Sequence, residues 1–424
     1  MVKKILIALI CLSAYCSYAQ NGTISPYSYF GLGDLKAGST VENQMMGGLL
    51  TYADSIHVNL RNPAAYGGLR LTTYTAGLSR KEMRFKTYTD QQRSAVTSLD
   101  YLSIGFPIAQ NAGLGFGIMP YSSVGYGLQS ETIDQDQNTV VNTYSGEGGV
   151  NKVYMSLGYK FLKDVSVGAT VNYNFGEITT NRVQATEDVQ LGTFDRKNSR
   201  ITGFDFNFGL NYTPKIKDKY TLHTSVAVNT QANLVSKNTQ SIGSVNTSTG
   251  RQREVIDVDL DATYMGGTMY KVPTTTTLGV GFGQDRKWFL GAEYSFQELS
   301  AFENVFMGAN NVSYNDGSTI AFGGFFIPDY ASITSFFNKV TYRAGLRYEK
   351  TGMVVSEKDI NNFGITFGLG IPLGARTGSF SNLNLGFELG RRGTSANDLV
   401  EESYLKVNLG LSLNDKWFRK RKIN

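Results

Sequence analysis

Cysteine is nearly absent from this chain of 424 residues, and its two cysteines, Cys11 and Cys16, both lie close to the amino terminus. The remaining sequence therefore cannot form a disulfide framework, a thiolate zinc site or a cysteine nucleophile. Histidine is equally scarce, with His57 and His223 far apart in the sequence. We expect neither histidine to lie in a cluster with serine, aspartate or glutamate. The sequence thus predicts no enzyme: no catalytic residues, no cofactor and no metal site.

Charge and proline are also low. Charged residues make up 18% of the chain, below the roughly 25% of soluble domains. The formal net charge of +5 is too small to indicate a nucleic-acid partner. Aromatic residues, in contrast, reach 12%, from 25 Tyr, 25 Phe and only 2 Trp. Low charge with many tyrosines and phenylalanines is typical of a protein that faces lipid and carries aromatic belts at the membrane interfaces.

Long apolar runs are missing beyond the amino terminus, so the sequence predicts no transmembrane helix. The one apolar run comes after Lys3-Lys4, extends from Ile5 to about Ala14 and is closed by Ser17-Tyr18-Ala19. These are the three parts of a secretory signal peptide, so we expect residues 1–19 to be removed. An exported chain without a spanning helix is a candidate outer-membrane barrel, because only helices and closed barrels satisfy their backbone hydrogen bonds in lipid.

Apolar and polar residues alternate from Leu69 onward. The clearest runs are Phe204–Tyr212, Val153–Phe161 and Leu405–Leu413. Each has about ten residues, which is enough for a tilted strand to cross a bilayer. The polar positions are mostly Asn, Ser, Thr and Gly, which suit a barrel lumen better than the outer face of a soluble sandwich. We therefore predict an all-β fold, a transmembrane antiparallel β-barrel over residues 69–415.

This alternation also assigns faces. We expect Phe206 and Leu409 to face lipid, and Asn207 and Asn408 to face the lumen. An arginine on the lipid face should destabilise the barrel, and an arginine on the lumen face should cost much less. Outer-membrane lipid and lipopolysaccharide are then the surroundings of the outward face.

Connection lengths predict the number of strands. Short turns are expected near 110–111, 163–164, 217–219, 285–287, 329–338 and 375–379, and longer polar loops near 80–97, 130–147, 183–198, 237–272, 299–316, 351–358 and 391–402. Short and long connections alternate, as periplasmic turns and outer loops do, and together they join fourteen strands with both barrel ends in the periplasm. If Val255–Tyr264 is a full strand, sixteen strands become possible.

Residues 20–68 lack the alternation. They contain several glycines, the aromatic residues Tyr27, Tyr29 and Phe30, and one short apolar stretch, Met45–Leu50. A fourteen-stranded barrel is wider than the eight-stranded barrels whose own side chains fill the interior. We therefore predict that this segment folds back into the pore as a plug, the alternative being a tail beneath the barrel.

Motifs in this segment resemble the amino-terminal hatch of FadL-like outer-membrane barrels. They are Met46-Gly47-Gly48, Ala53-Asp54-Ser55 and Asn62-Pro63-Ala64. That family includes long-chain fatty-acid and aromatic-hydrocarbon channels and a secretion-associated, PorV-like branch in Bacteroidetes. Two segments of this chain, Ser25–Asp34 and Leu411–Phe418, resemble the Bacteroidetes members. The resemblance implies a fourteen-stranded barrel with a hatch, whose motif residues here are Asn62, Pro63, Ala64, Gly47 and Gly48.

Two functions remain open. The hatch-like segment and the width of the barrel favour a passive channel for small hydrophobic molecules. The Bacteroidetes-type ends and the basic tail at 416–424 favour a non-transporting accessory subunit of an outer-membrane secretion or assembly machine, with protein partners. The tail itself is either an interfacial aromatic pair with a solvated basic end or a docking segment for an acidic partner or anionic headgroups.

Two sets of charged residues are left undecided. Asp257, Asp259 and Asp261 alternate with apolar residues and would share one face of an outer strand. Oxygen ligands of this kind suit calcium, but any polar strand face has the same pattern. Four arginines either project into the lumen or contact lipopolysaccharide phosphates: Arg343, Arg347, Arg391 and Arg392.

Overall fold

A computed structural model describes residues 22–36, 38–217, 219–302, 306–307, 312–373, 380–397 and 399–416. The expected signal peptide, and the basic tail beyond Lys416, lie outside these residues. Among the described helices, none is long and apolar enough to span a membrane. The helices are short: one α-helical turn, Val41–Gln44, and 3₁₀ helices at Pro26–Tyr29, Pro63–Gly68, Leu299–Ala301 and Phe337–Lys339.

Strands make up most of the chain. In order they are β1 (Asp34–Leu35), β2 (Thr72–Lys86), β3 (Gln91–Ala109), β4 (Ala112–Ile133), β5 (Thr139–Lys160), β6 (Val165–Thr186), β7 (Leu191–Tyr212), β8 (Lys215–Ile216), β9 (Tyr220–Asn229), β10 (Ala232–Asn246), β11 (Gln252–Asp257), β12 (Gly267–Val272), β13 (Thr275–Gln284), β14 (Trp288–Gln297), β15 (Val312–Tyr314), β16 (Gly317–Phe326), β17 (Thr341–Val355), β18 (Lys358–Leu373), β19 (Ser381–Arg392) and β20 (Glu401–Asp415).

These strands close into one antiparallel barrel, because β20 returns to pair with β2. Three crossings are built from shorter pieces: β9 with β10, β11 with β12 and β13, and β15 with β16. The two-residue strands β1 and β8 are not crossings. The barrel has 14 strands, which confirms the predicted number. Residues 258–266 only interrupt the crossing between β11 and β12, so the sixteen-strand alternative is wrong.

The alternation assigns the two faces correctly. Phe206 is 44% exposed on the outside of β7, and its neighbour Asn207 is 6% exposed in the lumen. Leu409 and Asn408 show the same contrast on β20, at 42% and 0%. The reason is the two-residue repeat of a strand, which turns successive side chains to opposite faces.

The barrel wall is much taller on one side than on the other. β4, β5, β6 and β7 have 22 residues each, whereas β14 and β16 have 10. A crossing needs only about 9–11 residues, so the long strands continue well beyond the membrane. The prediction of long polar loops at 80–97, 130–147 and 183–198 is therefore wrong, because the turns there are only 87–90, 134–138 and 187–190.

The segment before β2 fills the lumen as a plug. Tyr27, Leu32 and Leu49 are 3%, 4% and 0% exposed, because they pack against the inner face of the wall. Leu35, in contrast, is 45% exposed. The plug has two parts: the arm is residues 22–36, which includes β1, and the hatch is residues 38–68.

Candidate functional site

Asn62 starts the last helix of the hatch and ties it to the wall. Its side-chain Oδ1 accepts a hydrogen bond from the backbone N–H of Ala64 at 3.1 Å, and its Nδ2 donates to Oδ1 of Asn211 on β7 at 2.6 Å. Pro63 occupies the first helical position, where a missing N–H costs nothing. The Asn62-Pro63-Ala64 motif thus begins the 3₁₀ helix Pro63–Gly68 and fixes its place in the lumen.

The wall beneath this helix is a row of glycines. Gly113 on β4 pairs with Gly158, Gly158 with Gly168, and Gly168 with Gly209, so one glycine from each of four neighbouring strands lies side by side. A Cβ at Gly168 would lie 2.3 Å from the carbonyl carbon of Pro63. The helix backbone can therefore approach the wall only where side chains are absent.

A second glycine row receives the other end of the hatch. It consists of Gly281, Gly291, Gly323 and Gly345, which pair in succession across β13, β14, β16 and β17. A Cβ at Gly345 would lie 2.2 Å from the nitrogen of Gly47. Gly47 itself has φ +73° and approaches two wall carbonyls, and Gly48 has φ +87°. Both positions require the left-handed backbone that glycine adopts without strain.

Carboxylates and amides fasten the hatch between the two rows. Glu293 on β14 accepts the backbone N–H groups of Leu50 and Thr51, both at 2.6 Å. Glu42, from the hatch, accepts from Asn384 and Ser412 of the wall at 2.8 Å. Within the hatch, Arg61 donates to the carbonyl of Gly48 at 2.9 Å and so connects its two anchored ends.

His57 lies between two carboxylates of the hatch. Its Nδ1 is 2.6 Å from Oδ2 of Asp54, and its Nε2 is 4.0 Å from Oε1 of Glu42. Burial alone would lower the pKa of His57, but the charge of Asp54 and its hydrogen bond, together with Glu42, raise that pKa above its usual value. Burial would raise the pKa of Asp54, but His57 holds that pKa below its usual value. The expectation that His57 lies apart from acidic side chains is therefore wrong.

The arm is held at the outer end of the lumen. β1 pairs with β4 through Asp34 and Ser123. Arg392 donates to Asp34 at 2.9 Å, and the Ser25 hydroxyl donates to the Glu402 carboxylate. Arg392 therefore faces the lumen, as do Arg343 and Arg347, which contact Asn384 and Glu388 at 3.0 Å. Arg391 points outward instead and forms an ion pair with Glu401.

The lumen wall around the arm is apolar, and it is one of several apolar patches inside the barrel. We call this set the vestibule cluster: Leu32, Val124, Tyr126, Val150, Ile178, Ile201, Ala232, Leu234 and Tyr270. Leu32 of the arm packs among side chains from β4, β5, β6, β7, β10 and β12. The sequence did not reveal this cluster, because its members are isolated apolar residues in polar stretches and only strand pairing brings them together.

The wall beside the vestibule cluster is incomplete as far as the described residues show. β12 pairs with β10 along one edge, and no described strand pairs with its other edge. Tyr270 and Val272 of β12 belong to the lining of the vestibule cluster.

The three aspartates do not share a strand face. Asp257 ends β11, whereas Asp259 and Asp261 lie in the interruption after it, where Asp259 accepts the N–H of Asp261 at 3.1 Å. The predicted arrangement is therefore wrong. In the part of the chain that the structure describes, no group of three or more His, Cys, Asp or Glu side chains could hold a metal ion.

The closed fourteen-stranded barrel with a lumen plug is the fold of FadL-like barrels. The chain is similar in fold to the toluene transporter TodX of Pseudomonas putida, with 16% identity, coverage of 92% of this chain and 100% of that one, and a TM-score of 0.60. It is also similar in fold to the toluene transporter TbuX of Ralstonia pickettii, with 14% identity, coverage of 90% of this chain and 99% of that one, and a TM-score of 0.57. A FadL homologue of Pseudomonas aeruginosa is similar as well, with 13% identity, coverage of 91% of this chain and 100% of that one, and a TM-score of 0.56.

The sequence also matches a particular protein family. A family model described as BamG matches residues 1–424, and the chain belongs to the BamG family. No curated protein matches the chain.

Proposed function

We propose that the protein is a passive outer-membrane channel for small hydrophobic molecules. The vestibule cluster is the observation that carries this proposal, because it places apolar side chains of six strands around the arm inside the lumen. An apolar solute that replaces Leu32 there gains the same contacts and leaves water. The solved neighbours named as toluene transporters and monoaromatic hydrocarbon channels indicate the size and chemistry of such a solute.

In this channel the hatch directs the solute laterally through the barrel wall. Residues 38–68 rest on two glycine rows and are fastened by buried hydrogen bonds, which closes the straight path to the periplasm. In this proposal a solute in the vestibule reaches lipid beside β12, which has a described partner strand on one edge only, once the arm yields. In this proposal residues 20–68 form the hatch region, 69–415 the barrel and 416–424 a basic tail.

Entry of the fluorescent apolar dye N-phenyl-1-naphthylamine into cells tests the proposal. Leu234→Asn places an amide in the vestibule cluster, where Leu234 is 0% exposed. Ile242→Asn, on the same strand but 40% exposed, is the matched control. Expression of the wild type should speed dye entry, Leu234→Asn should slow it and the control should not. Equal entry with and without the barrel contradicts the channel function.

The firmness of the plug favours a second candidate, an accessory subunit of an outer-membrane secretion or assembly machine. Buried polar contacts hold both arm and hatch, as between Glu293 and Thr51 or Arg392 and Asp34, which suits a barrel that transports nothing. The tall outer wall of β4–β7 offers surface to a partner. Affinity isolation from native membranes separates the candidates: a partner in stoichiometric amount, together with absent dye entry, supports the accessory subunit.

A further inference from the structure

A row of arginines crosses the outward face of the barrel. Arg391 on β19 pairs with Ser403 on β20, Ser403 pairs with Arg84 on β2, and Arg84 pairs with Arg93 on β3. All are directly opposite one another across neighbouring strands. Arg391 has the same face as Leu389, two residues earlier, which is 52% exposed, because a strand repeats its direction every second residue.

This row lies just above the lipid-facing belt. On β19 the outward residues are Leu385, Phe387 and Leu389, and Arg391 comes at the next outward position, towards the outer end. On β20 the outward sequence descends from Ser403 to Leu405, Val407 and Leu409. Arg391 is thus placed where hydrocarbon gives way to the headgroups of the outer leaflet. On β2, Arg80 and Glu82 occupy the outward positions between Leu78 and Arg84, so Arg84 and Arg93 lie at the outer end of a charged band above the belt.

Arg84 and Arg93 oppose each other without a counter-charge. Like charges directly opposite on adjacent strands destabilise a sheet, and among the described residues neither arginine forms an ion pair. The acidic groups nearby are engaged elsewhere: Glu82 pairs with Arg80 at 3.3 Å, and Glu401 pairs with Arg391. An anion between the two guanidinium groups would remove this repulsion.

A groove runs beside the pair. Its volume is about 690 Å³, and its lining joins charged and apolar side chains: Arg84, Arg93, Glu82, Ser403, Leu389 and Leu405. Glu82 is the one carboxylate in this lining, and it pairs with Arg80. The guanidinium groups lie above, and the leucines lie towards the membrane. This order matches a lipid whose phosphate is uppermost and whose acyl chains point down.

We propose that this groove binds the phosphorylated glucosamine headgroup of lipid A, the membrane anchor of lipopolysaccharide. Arg84 and Arg93 hold a phosphate between their planar forks, a geometry in which arginine forms paired, charge-assisted hydrogen bonds. Ser403 donates a further hydrogen bond, and Leu389 and Leu405 contact the first methylenes of the acyl chains. The site lies on the outer wall and is independent of the solute route through the lumen.

Binding of diphosphoryl lipid A to the purified full-length protein in detergent tests the site. We expect the double variant Arg84→Ala/Arg93→Ala to bind about tenfold more weakly, which is the loss of at least one charge-assisted contact. Arg251→Ala/Arg253→Ala is the matched control, because it removes two exposed arginines at the far tip of β10 and β11. It should bind lipid A as the wild type does.

Two further lipids decide what is recognised. Dephosphorylated lipid A should bind as weakly to the wild type as lipid A does to the double variant, and phosphatidylglycerol should bind less tightly than lipid A. Equal affinity of wild type and double variant, or equal affinity for any of these lipids, overturns the proposal. Each variant is first checked for heat-modifiable migration, which reports a folded barrel. Arg84→Gln, which keeps much of the side chain's length, replaces the double variant if that one does not fold, with the same direction of effect expected.

Discussion

At the scale of single residues, the lumen glycines decide how closely the plug can approach the wall. Gly168 has Pro63 against it, and an added Cβ there would lie 2.3 Å from a backbone carbon. Gly127, also in a strand, has nothing within 4 Å of the same added atom. These two glycines therefore separate the effect of plug contact from the effect of a glycine in a strand.

We predict that Gly168→Ala destabilises the docked hatch by about 1–3 kcal/mol, the usual cost of overpacking. Limited proteolysis of the purified protein measures this as faster cleavage between residues 38 and 68, with the barrel still heat-modifiable. Gly127→Ala should leave the cleavage rate unchanged. If both variants resist protease equally, the glycine row does not position the hatch.

Arginine substitutions on the two faces of β7 should have different effects. Phe206→Arg places a charge in lipid and should cost the folded barrel about 2–4 kcal/mol at mid-depth. Asn207 was expected from the sequence to tolerate arginine, but its side chain donates to the carbonyl of Arg61 at 2.9 Å. Asn207→Arg should therefore leave the barrel folded and release the hatch to protease. Loss of the folded barrel in both variants would contradict this difference.

Single residues also show what sequence reasoning could reach. The alternation around Phe206 and Leu409 predicted their faces, because every second side chain of a strand points to the same face and this pattern is visible in the local sequence. The contacts of Asn62 and Gly47 with the wall could not be predicted, because they depend on the register of strands far away in the sequence. The glycine rows exist only after pairing, since nearly all of four strands, β4 to β7, separate Gly113 from Gly209 in the sequence.

At the scale of elements, the hatch loop between its two anchored ends depends on the His57–Asp54 pair. Asp54 Oδ1 also accepts the backbone N–H groups of Ile56 and His57, at 2.9 and 2.8 Å, so the pair shapes the loop. Glu42 and Arg343 are the other charged groups that act on His57. Glu42 raises the pKa of His57 and Arg343 lowers it, and Asp54 is the main reason why the pKa is raised despite burial.

The sign of the pH effect depends on these shifts. A raised pKa means that protonated His57 stabilises the fold below its ordinary pKa of about 6.5, and that this contribution is lost as pH rises through the raised value. The lowered pKa of Asp54 contributes above about pH 4 and is lost as pH falls through that lowered value. The pair is thus most stabilising from roughly pH 4 to 6.5.

We therefore predict that the hatch is held less firmly at pH 9 than at pH 6. The melting temperature of the wild type should fall across this range by more than that of His57→Gln, which carries no titrating ring. The intrinsic fluorescence of the purified protein in detergent reports the melting temperature. An identical pH dependence in both proteins would show that the pair does not contribute.

The strands themselves were predictable only within the membrane. Residues 153–161 alternate because one face meets lipid, and they were correctly predicted as a strand. The outer part of the same strand, 139–147, has polar residues on both faces and was predicted as part of a loop. Because neither face of this part meets lipid, its sequence does not alternate between apolar and polar residues. Hydrogen bonds to neighbouring strands keep it extended, and such bonds leave no local pattern in the sequence.

At the scale of the whole molecule, the arm is the part whose movement the channel requires. It covers the vestibule cluster through Leu32 and pairs with β4 at Leu35 and Ser122. The chain beyond Cys16 contains no cysteine, so an engineered disulfide would be the only one within residues 17–424. Directly opposite residues of antiparallel strands are close enough for such a bond.

Dye entry through a barrel whose arm is locked is the decisive measurement for the proposed channel. Leu35→Cys/Ser122→Cys joins the arm to β4 under oxidation, and Ser79→Cys/Ser98→Cys, whose hydroxyl oxygens are 3.2 Å apart on β2 and β3, is the control that leaves the arm free. We predict that oxidation stops entry of N-phenyl-1-naphthylamine through the arm-locked protein, that reduction restores it, and that the control conducts in both states. Unchanged entry through the oxidised, arm-locked barrel would contradict a solute route past the arm.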